Sequence, residues 1–245
     1  MKRVVIIGAT SAIATETARN FAADGSALFL IARNQEKLAG LAADLQVRGA
    51  SAVNTATFNA SDLPYHEQLM ESAVRSLGEI DAALIAHGDL PDQKKCQASW
   101  QATEDALRTN LASPIAFLTW LGNYFEARKQ GNITVISSVA GDRGRQSNYV
   151  YGAAKGALST FLQGLRNRLA PLGVSVTTIK PGFVDTPMTQ HIPKGPLFAS
   201  AETVGTRVYK AMKRGESVVY APFFWRFIML IIQHIPECIF KKLKL

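Results

Sequence analysis

Seven short runs that are almost continuously apolar or β-branched recur along the 245-residue chain, with longer helical patterns between them. The runs fall at 4–8, 27–32, 52–58, 82–86, 132–138, 174–179 and 217–221. A strand with one wet face alternates apolar and polar residues, whereas an unbroken apolar run belongs to a strand covered on both faces. The helical patterns fall at 12–24, 34–48, 62–77, 97–128, 149–170 and 201–214. Strands that alternate with helices in this way build βαβ units with right-handed crossovers. The expected fold is therefore α/β, a three-layer doubly wound parallel sheet of about seven strands, the Rossmann arrangement. No repeat, linker or low-complexity stretch interrupts it, so residues 1–221 read as one unit and 222–245 as an apolar extension.

Composition narrows the function classes. Hydrophobic residues make up 47% and charged residues 19%, a globular balance that excludes a disordered chain. The net charge of +8 suits a phosphate-bearing ligand or an anionic surface. Because Lys and Arg are scattered except at the C-terminus, no nucleic-acid partner is expected. Cys96 and Cys238 match no metal-ligand spacing and read as free thiols of a reducing, cytoplasmic compartment, and no metal site is expected. The apolar run after Lys2 and Arg3 is too short for a signal peptide.

The first strand runs into Gly8-Ala9-Thr10-Ser11-Ala12-Ile13-Ala14. In a doubly wound sheet this loop meets a helix N-terminus, where unpaired N–H groups and the helix dipole attract phosphate. Gly8 stands where a tight turn most needs glycine, and Ala14 is tolerated where helix and sheet pack. Thr10 and Ser11 offer hydroxyls to cap the helix or touch a phosphate. Ala12, where a glycine is usual, leaves open whether the turn is a working variant or a remnant.

The stretch ITVISSVAGDRGRQSNYVYGAAKGALSTF decides more. Tyr151 and Lys155 are four apart and share a helix face. Ser138 ends the preceding strand, and Asn110 lies in an earlier helix. Reducing a ketone requires a hydride to carbon and a proton to oxygen. A phenol serves as the acid if a neighbouring ammonium draws its pKa of about 10 toward neutrality. A serine hydroxyl can hold the substrate oxygen and stabilise the charge that develops on it. Asn110 suits a relay that orients water and the lysine. A Tyr–Lys pair alone is ordinary surface; the four residues together with the glycine turn are not.

With these motifs the chain resembles the single-domain short-chain dehydrogenases/reductases over essentially its whole length. The resemblance implies an NAD(P)-dependent enzyme acting on CH–OH groups, with Asn110, Ser138, Tyr151 and Lys155 as catalytic tetrad and transfer of the 4-pro-S hydride. It implies a cofactor in contact with Gly8, Thr10, Ser11, Ala12 and Ile13, with Asn59 near the adenine, and with Ala86 and Gly88 after the fourth strand. Tyr151 and Lys155 would also meet the cofactor, Lys155 at the ribose hydroxyls. Pro181, Gly182, Val184 and Thr186 of KPGFVDTPM would lie along the nicotinamide, near the N–H of Phe183 or Val184. Beside them the turn reads as a working variant. The family's Asn-Asn-Ala-Gly segment is here Ile85-Ala86-His87-Gly88, and His87 reads as structural rather than as a base. Homodimers or homotetramers are usual in the family.

The second strand ends in Arg33 with no carboxylate, which favours NADP over NAD because a guanidinium can fork onto a 2′-phosphate. Segment 187–200 reads as a substrate lid. Residues 223–232 carry one charge in ten, too few residues to span a bilayer, and Lys241, Lys242 and Lys244 follow. Two readings stay open: a helix packed on the body or in a subunit interface, or a peripheral anchor on the cytoplasmic face of an anionic membrane. The tail and the SSVAGDRGRQSNYVYGAAK stretch are similar to reductase subunits of decaprenylphosphoryl-ribose 2-epimerases, which implies a keto sugar on a polyprenyl phosphate. The alternatives are a soluble reductase of small carbonyls or steroid-like substrates, and a non-catalytic nucleotide-binding protein. Arg143 and Arg145 read either as contacts to a substrate phosphate or as solvated loop charges.

Overall fold

The computed structural model describes residues 2–190 and 192–243; Lys244, named above in the tail, and one position of the 187–200 segment, His191, lie outside them. Strands β1 (Arg3–Ile7), β2 (Ala27–Ala32), β3 (Ala52–Thr57), β4 (Ala82–Ile85), β5 (Gly131–Ile136) and β6 (Val174–Pro181) follow the sequence runs to within a few residues. With a final strand at Val218–Ala221 they form one parallel sheet, in the order β3-β2-β1-β4-β5-β6 and then that strand. The chain reverses its winding direction between β1 and β4, whose residues pair in register Val5↔Ala83 and Ile7↔Ile85. That reversal opens a crevice at the carboxyl ends of the strands, the usual ligand site of an open α/β sheet.

Helices cover both faces. Helix α1 (Ala12–Ala23) begins where the Ser11 hydroxyl accepts the Ala14 N–H, and α2 (Gln35–Val47) where the Asn34 side chain accepts that of Lys37. With the helix Ala201–Arg214 they enclose a core that includes Phe21, Leu30, Leu45 and Met212. The opposite face is covered by α3 (Tyr65–Leu77), by a helix at Ser113–Arg128 and by one at Tyr149–Leu169, around Met70, Phe117, Phe125 and Leu162.

The pattern at 97–128, read from the sequence as one helix, is three helices with a wide turn. Helix α4 (Gln93–Ala98) stops at Ser99, which is extended and caps α5 (Trp100–Leu107) through the Ala102 N–H. A π turn then spans Arg108–Ala112, and α6 (Ser113–Arg128) starts with Pro114 at its N-terminus, where a missing N–H costs nothing. The π turn carries Asn110 into the interior. Helix α7 (Tyr149–Leu169) follows β5.

After β6, a two-stranded pair of β7 (Val184–Asp185) and β8 (Ala199–Ser200) closes the base of the 187–200 loop before α8 (Ala201–Arg214) and β9 (Val218–Ala221). The extension forms α9 (Trp225–His234) and a short turn of helix, α10 (Glu237–Phe240). No helix among the described residues is long and apolar enough to cross a membrane.

Candidate active site

Gly8 ends β1 with φ +80°, and its N–H donates to the Ile31 carbonyl at 2.7 Å. A Cβ there would lie 2.5 Å from the His87 nitrogen and 2.8 Å from Ala86 C, so the turn needs glycine to pass under the β4 loop. Ala14 is buried beneath α1, where its methyl packs, while Ala12 stands on the wall of a cavity of about 680 Å³. All fifteen residues expected to meet a cofactor line this cavity, from Gly8 to Thr186. Ser138, Tyr151 and Lys155 line its far end.

Tyr151 reaches Ser138 because α7 docks on the turn after β5 with backbone against backbone. Ser138 caps that 3-10 turn (Val139–Gly141) by accepting the Ala140 N–H at 3.0 Å. A Cβ on Gly141 would meet Gly156 N and Lys155 C at 2.6 Å, and one on Gly152 would meet the Ala140 carbonyl at 2.9 Å. Glycines on both sides of the contact therefore fix how near the serine and the tyrosine can come.

Asn110 is fully buried and stands behind the cavity wall. Its Nδ2 donates to Asp89 Oδ1 at 2.6 Å and to the Ala106 carbonyl at 3.0 Å, and its Oδ1 accepts the Asp89 N–H at 3.2 Å. Both amide hydrogens are thus taken, and the Lys155 ammonium, itself a donor, gives a hydrogen to the Ile136 carbonyl at 3.2 Å. Asn110 and Lys155 share no direct hydrogen bond, and the relay expected from the sequence runs through water; Asp89, on the cavity wall, clamps the asparagine.

The electrostatics also differ from the sequence expectation, in which the ammonium draws the phenol toward neutrality. Burial instead pushes Tyr151 up to about 12, with a hydrogen bond from Ser138 lowering it and the Asp89 charge raising it. Burial draws Lys155 down to about 8, and Asp89 opposes this by favouring the ammonium. For both groups desolvation is the largest influence.

His87 is structural. Its Nε2 pairs with Ser113 Oγ at 2.9 Å, and its ring meets Phe58 and Phe117 edge-on. Burial, with Lys155 nearby, holds its pKa down to about 3, so it is neutral at ordinary pH.

At the other end of the cavity stands a residue not foreseen from the sequence, Lys37 on the first turn of α2, four positions after Arg33, which precedes the helix. Neither cation has an acidic partner among the described residues. The i, i+4 spacing at the start of α2 was a legible signal. Asn59 uses its Oδ1 to accept the Ser61 N–H, and Thr186 caps the turn at Pro187–Thr189.

The extension packs behind the site's wall. Trp225, at the start of α9, lies so close to Gly182 that a Cβ there would be 2.0 Å from the indole. It packs on Val139 beside the serine and edge-on against Phe183, which stacks on Phe198 of the 187–200 loop. Arg143 is neither solvated nor free for a substrate phosphate. It donates to the carbonyls of Ile232 and Ile235 at 2.8 and 2.6 Å, pairs with Glu237, and lies over the Phe240 ring. Asp142 joins the same latch through Lys180 and the Tyr220 hydroxyl. Arg145 is partly buried, its Nε without a partner, and desolvation lowers its pKa.

The family model described as short chain dehydrogenase matches residues 2–196. An "uncharacterized oxidoreductase" of Mycobacterium tuberculosis is 36% identical over 240 residues, covering 98% of this chain and 96% of that one. Among solved structures, a levodione reductase superposes with a TM-score of 0.81 at 21% identity, covering 89% of this chain and 95% of its own. A variant of an actinorhodin polyketide ketoreductase solved with NADPH gives 0.82 at 22%, covering 91% and 97%. At these identities the two structures speak for the fold.

The glycine contact predicts that Gly141→Val, which must push α7 from the serine turn, destabilises the chain by about 1–3 kcal/mol or more. Chemical denaturation would register it as a lower midpoint with an unchanged slope.

Proposed function

The chain belongs to the short chain dehydrogenase family, a family of NAD(P)-dependent oxidoreductases, and from that premise we propose that it reduces a ketone to a secondary alcohol with NADPH. The observation that carries this reading is the cavity itself. One end holds two cations without acidic partners at the start of α2, and the other holds Ser138, Tyr151 and Lys155. The residues fit the cofactor: the turn before α1 presents N–H groups to a diphosphate, and Arg33 with Lys37 suits a 2′-phosphate that a carboxylate would repel. When bound, the nicotinamide supplies the hydride.

The protein's own part is to hold the carbonyl and deliver a proton. The Ser138 hydroxyl and the Tyr151 phenol both donate to the substrate oxygen. Burial keeps Tyr151 protonated until charge builds on that oxygen, and an alkoxide is a far stronger base than a phenolate. The Lys155 ammonium then stabilises the phenolate that remains. Asp89 keeps that ammonium charged and Asn110 in place. Lys155 loses its proton as pH rises through about 8, so reduction should fall off on the alkaline side.

A second reading, a keto sugar on a polyprenyl-phosphate carrier at the cytoplasmic face of a membrane, is favoured by the exposed apolar residues of α9 beside the lid. A soluble reductase of small or steroid-like carbonyls remains the alternative for substrate. A non-catalytic nucleotide-binding protein is disfavoured by the complete tetrad. Assembly as a homodimer or homotetramer is proposed from the family alone.

NADPH oxidation against a panel of ketones that includes polyprenyl-phosphoryl keto sugars tests the reaction. Tyr151→Phe should abolish turnover, a loss of at least about 100-fold given the usual worth of general acid catalysis, while NADPH still quenches protein fluorescence. Retained turnover would overturn the mechanism. Arg33→Asp should weaken NADPH binding far more than NADH binding in the same titration; equal losses would refute the NADP assignment. Asp89→Asn removes the negative charge that favours the ammonium and disfavours the phenolate. Both pKa values should fall, and the alkaline limb of the pH–kcat/KM profile should move to lower pH; an unmoved limb would deny Asp89 this role.

A further inference from the structure

The chain carries one large apolar surface that its own fold leaves uncovered. Helix α9 has two faces. Trp225, Ile228, Met229 and Ile232 turn inward onto Val139, Phe183 and Tyr220. Phe223, just ahead of the helix, and Phe227, Leu230 and Ile231 recur at i, i+4, i+7 and i+8 and turn outward, 60%, 56%, 54% and 68% exposed. The rings of Phe223 and Phe227 meet edge-on, and Ile239 adds a further exposed side chain. A monomer in water seldom leaves such a patch bare.

The charges around it have one sign. Arg226 lies on the first turn of α9, and Lys241 and Lys242 follow α10; all three are exposed and none has an acidic partner among the described residues. The only acid between residues 222 and 243 is Glu237, which is paired with Arg143. We propose that this face docks flat on an anionic lipid bilayer, with the aromatic and aliphatic side chains at the level of the acyl chains and the three cations among the headgroups. A second copy of the chain fits less well, because a two-fold contact would set the same cations against each other. Trp225 on the inner face of the docked helix packs against Gly182 and Val139, next to Ser138, so the substrate cavity lies just behind the membrane-bound helix. The reductase then takes a carbonyl compound that resides in the bilayer by an apolar chain; this last step rests on the carbonyl-reductase reading, whereas the docking does not.

The full chain is sedimented with vesicles of phosphatidylcholine alone and with vesicles that also contain phosphatidylglycerol. Binding is expected to the anionic vesicles, to weaken with salt, and to fall about tenfold or more in Phe227→Glu and Ile231→Glu. NADPH oxidation with a water-soluble ketone is measured on the same proteins and should be unchanged, since these side chains point away from the site. Failure of wild type to sediment with anionic vesicles overturns the docking. So does a wild-type dimer that either variant turns into a monomer by light scattering, which would make the face an interface between copies. Sedimentation without ketone reduction would keep the docking and sink the catalytic reading instead.

Discussion

The arrangement of the site depends on one contact made without side chains. The turn after β5 and the first turns of α7 approach until their backbones touch, at Gly141 against Lys155 and Gly156, and at Gly152 against Ala140. Dense packing of this kind leaves little freedom. It sets the serine, which caps the turn, and the tyrosine, one turn into the helix, at a fixed relation. Lys155 lies at the same contact and is buried by it. The desolvation that raises the phenol and lowers the ammonium is thus a consequence of how tightly two pieces of main chain meet.

At Lys155 that burial is opposed by Asp89, which at Tyr151 acts in the same direction as burial. A buried ammonium would be costly without a nearby negative charge, whereas a buried phenol is neutral as long as it keeps its proton. Asp89 supplies that charge from the cavity wall while bonding twice to Asn110. The asparagine arrives from a π turn, a form that occurs at functional sites more often than its rarity suggests. One loop after β4 and one irregular turn between helices therefore set the electrostatics of a tyrosine–lysine pair on a third element.

Much of this was legible in the sequence because it follows from local pattern. Strands covered on both faces are apolar throughout, so β1, β2 and β4 to β6 stood out. Tyr151 and Lys155 carried their own spacing, and the resemblance supplied Asn110 and the segment from Pro181 to Thr186. The remainder depends on contacts distant in sequence. The run at 97–128 has helical periodicity throughout, and only Ser99 and Pro114 hint at the breaks. Asp89 has no motif; its role exists because the π turn brings Asn110 beside it. Arg143 read as a free cation since the carbonyls it binds lie some 90 positions away. The extension, apolar nearly all round in sequence, is two-faced only because the Ser138 loop and Phe183 cover one side.

The pairing of Gly182 with Trp225 ties together parts of the chain that a linear map would separate. The indole fills the space a side chain at 182 would need, so 182 cannot take a side chain while Trp225 keeps its place. Grafting the C-terminal segment of a relative onto this body would bring a new residue to a seat shaped for tryptophan, and an alanine at 182 would evict the helix that follows. Residues 222–243 and the loop after β6 are in that sense a single part made from two stretches of chain.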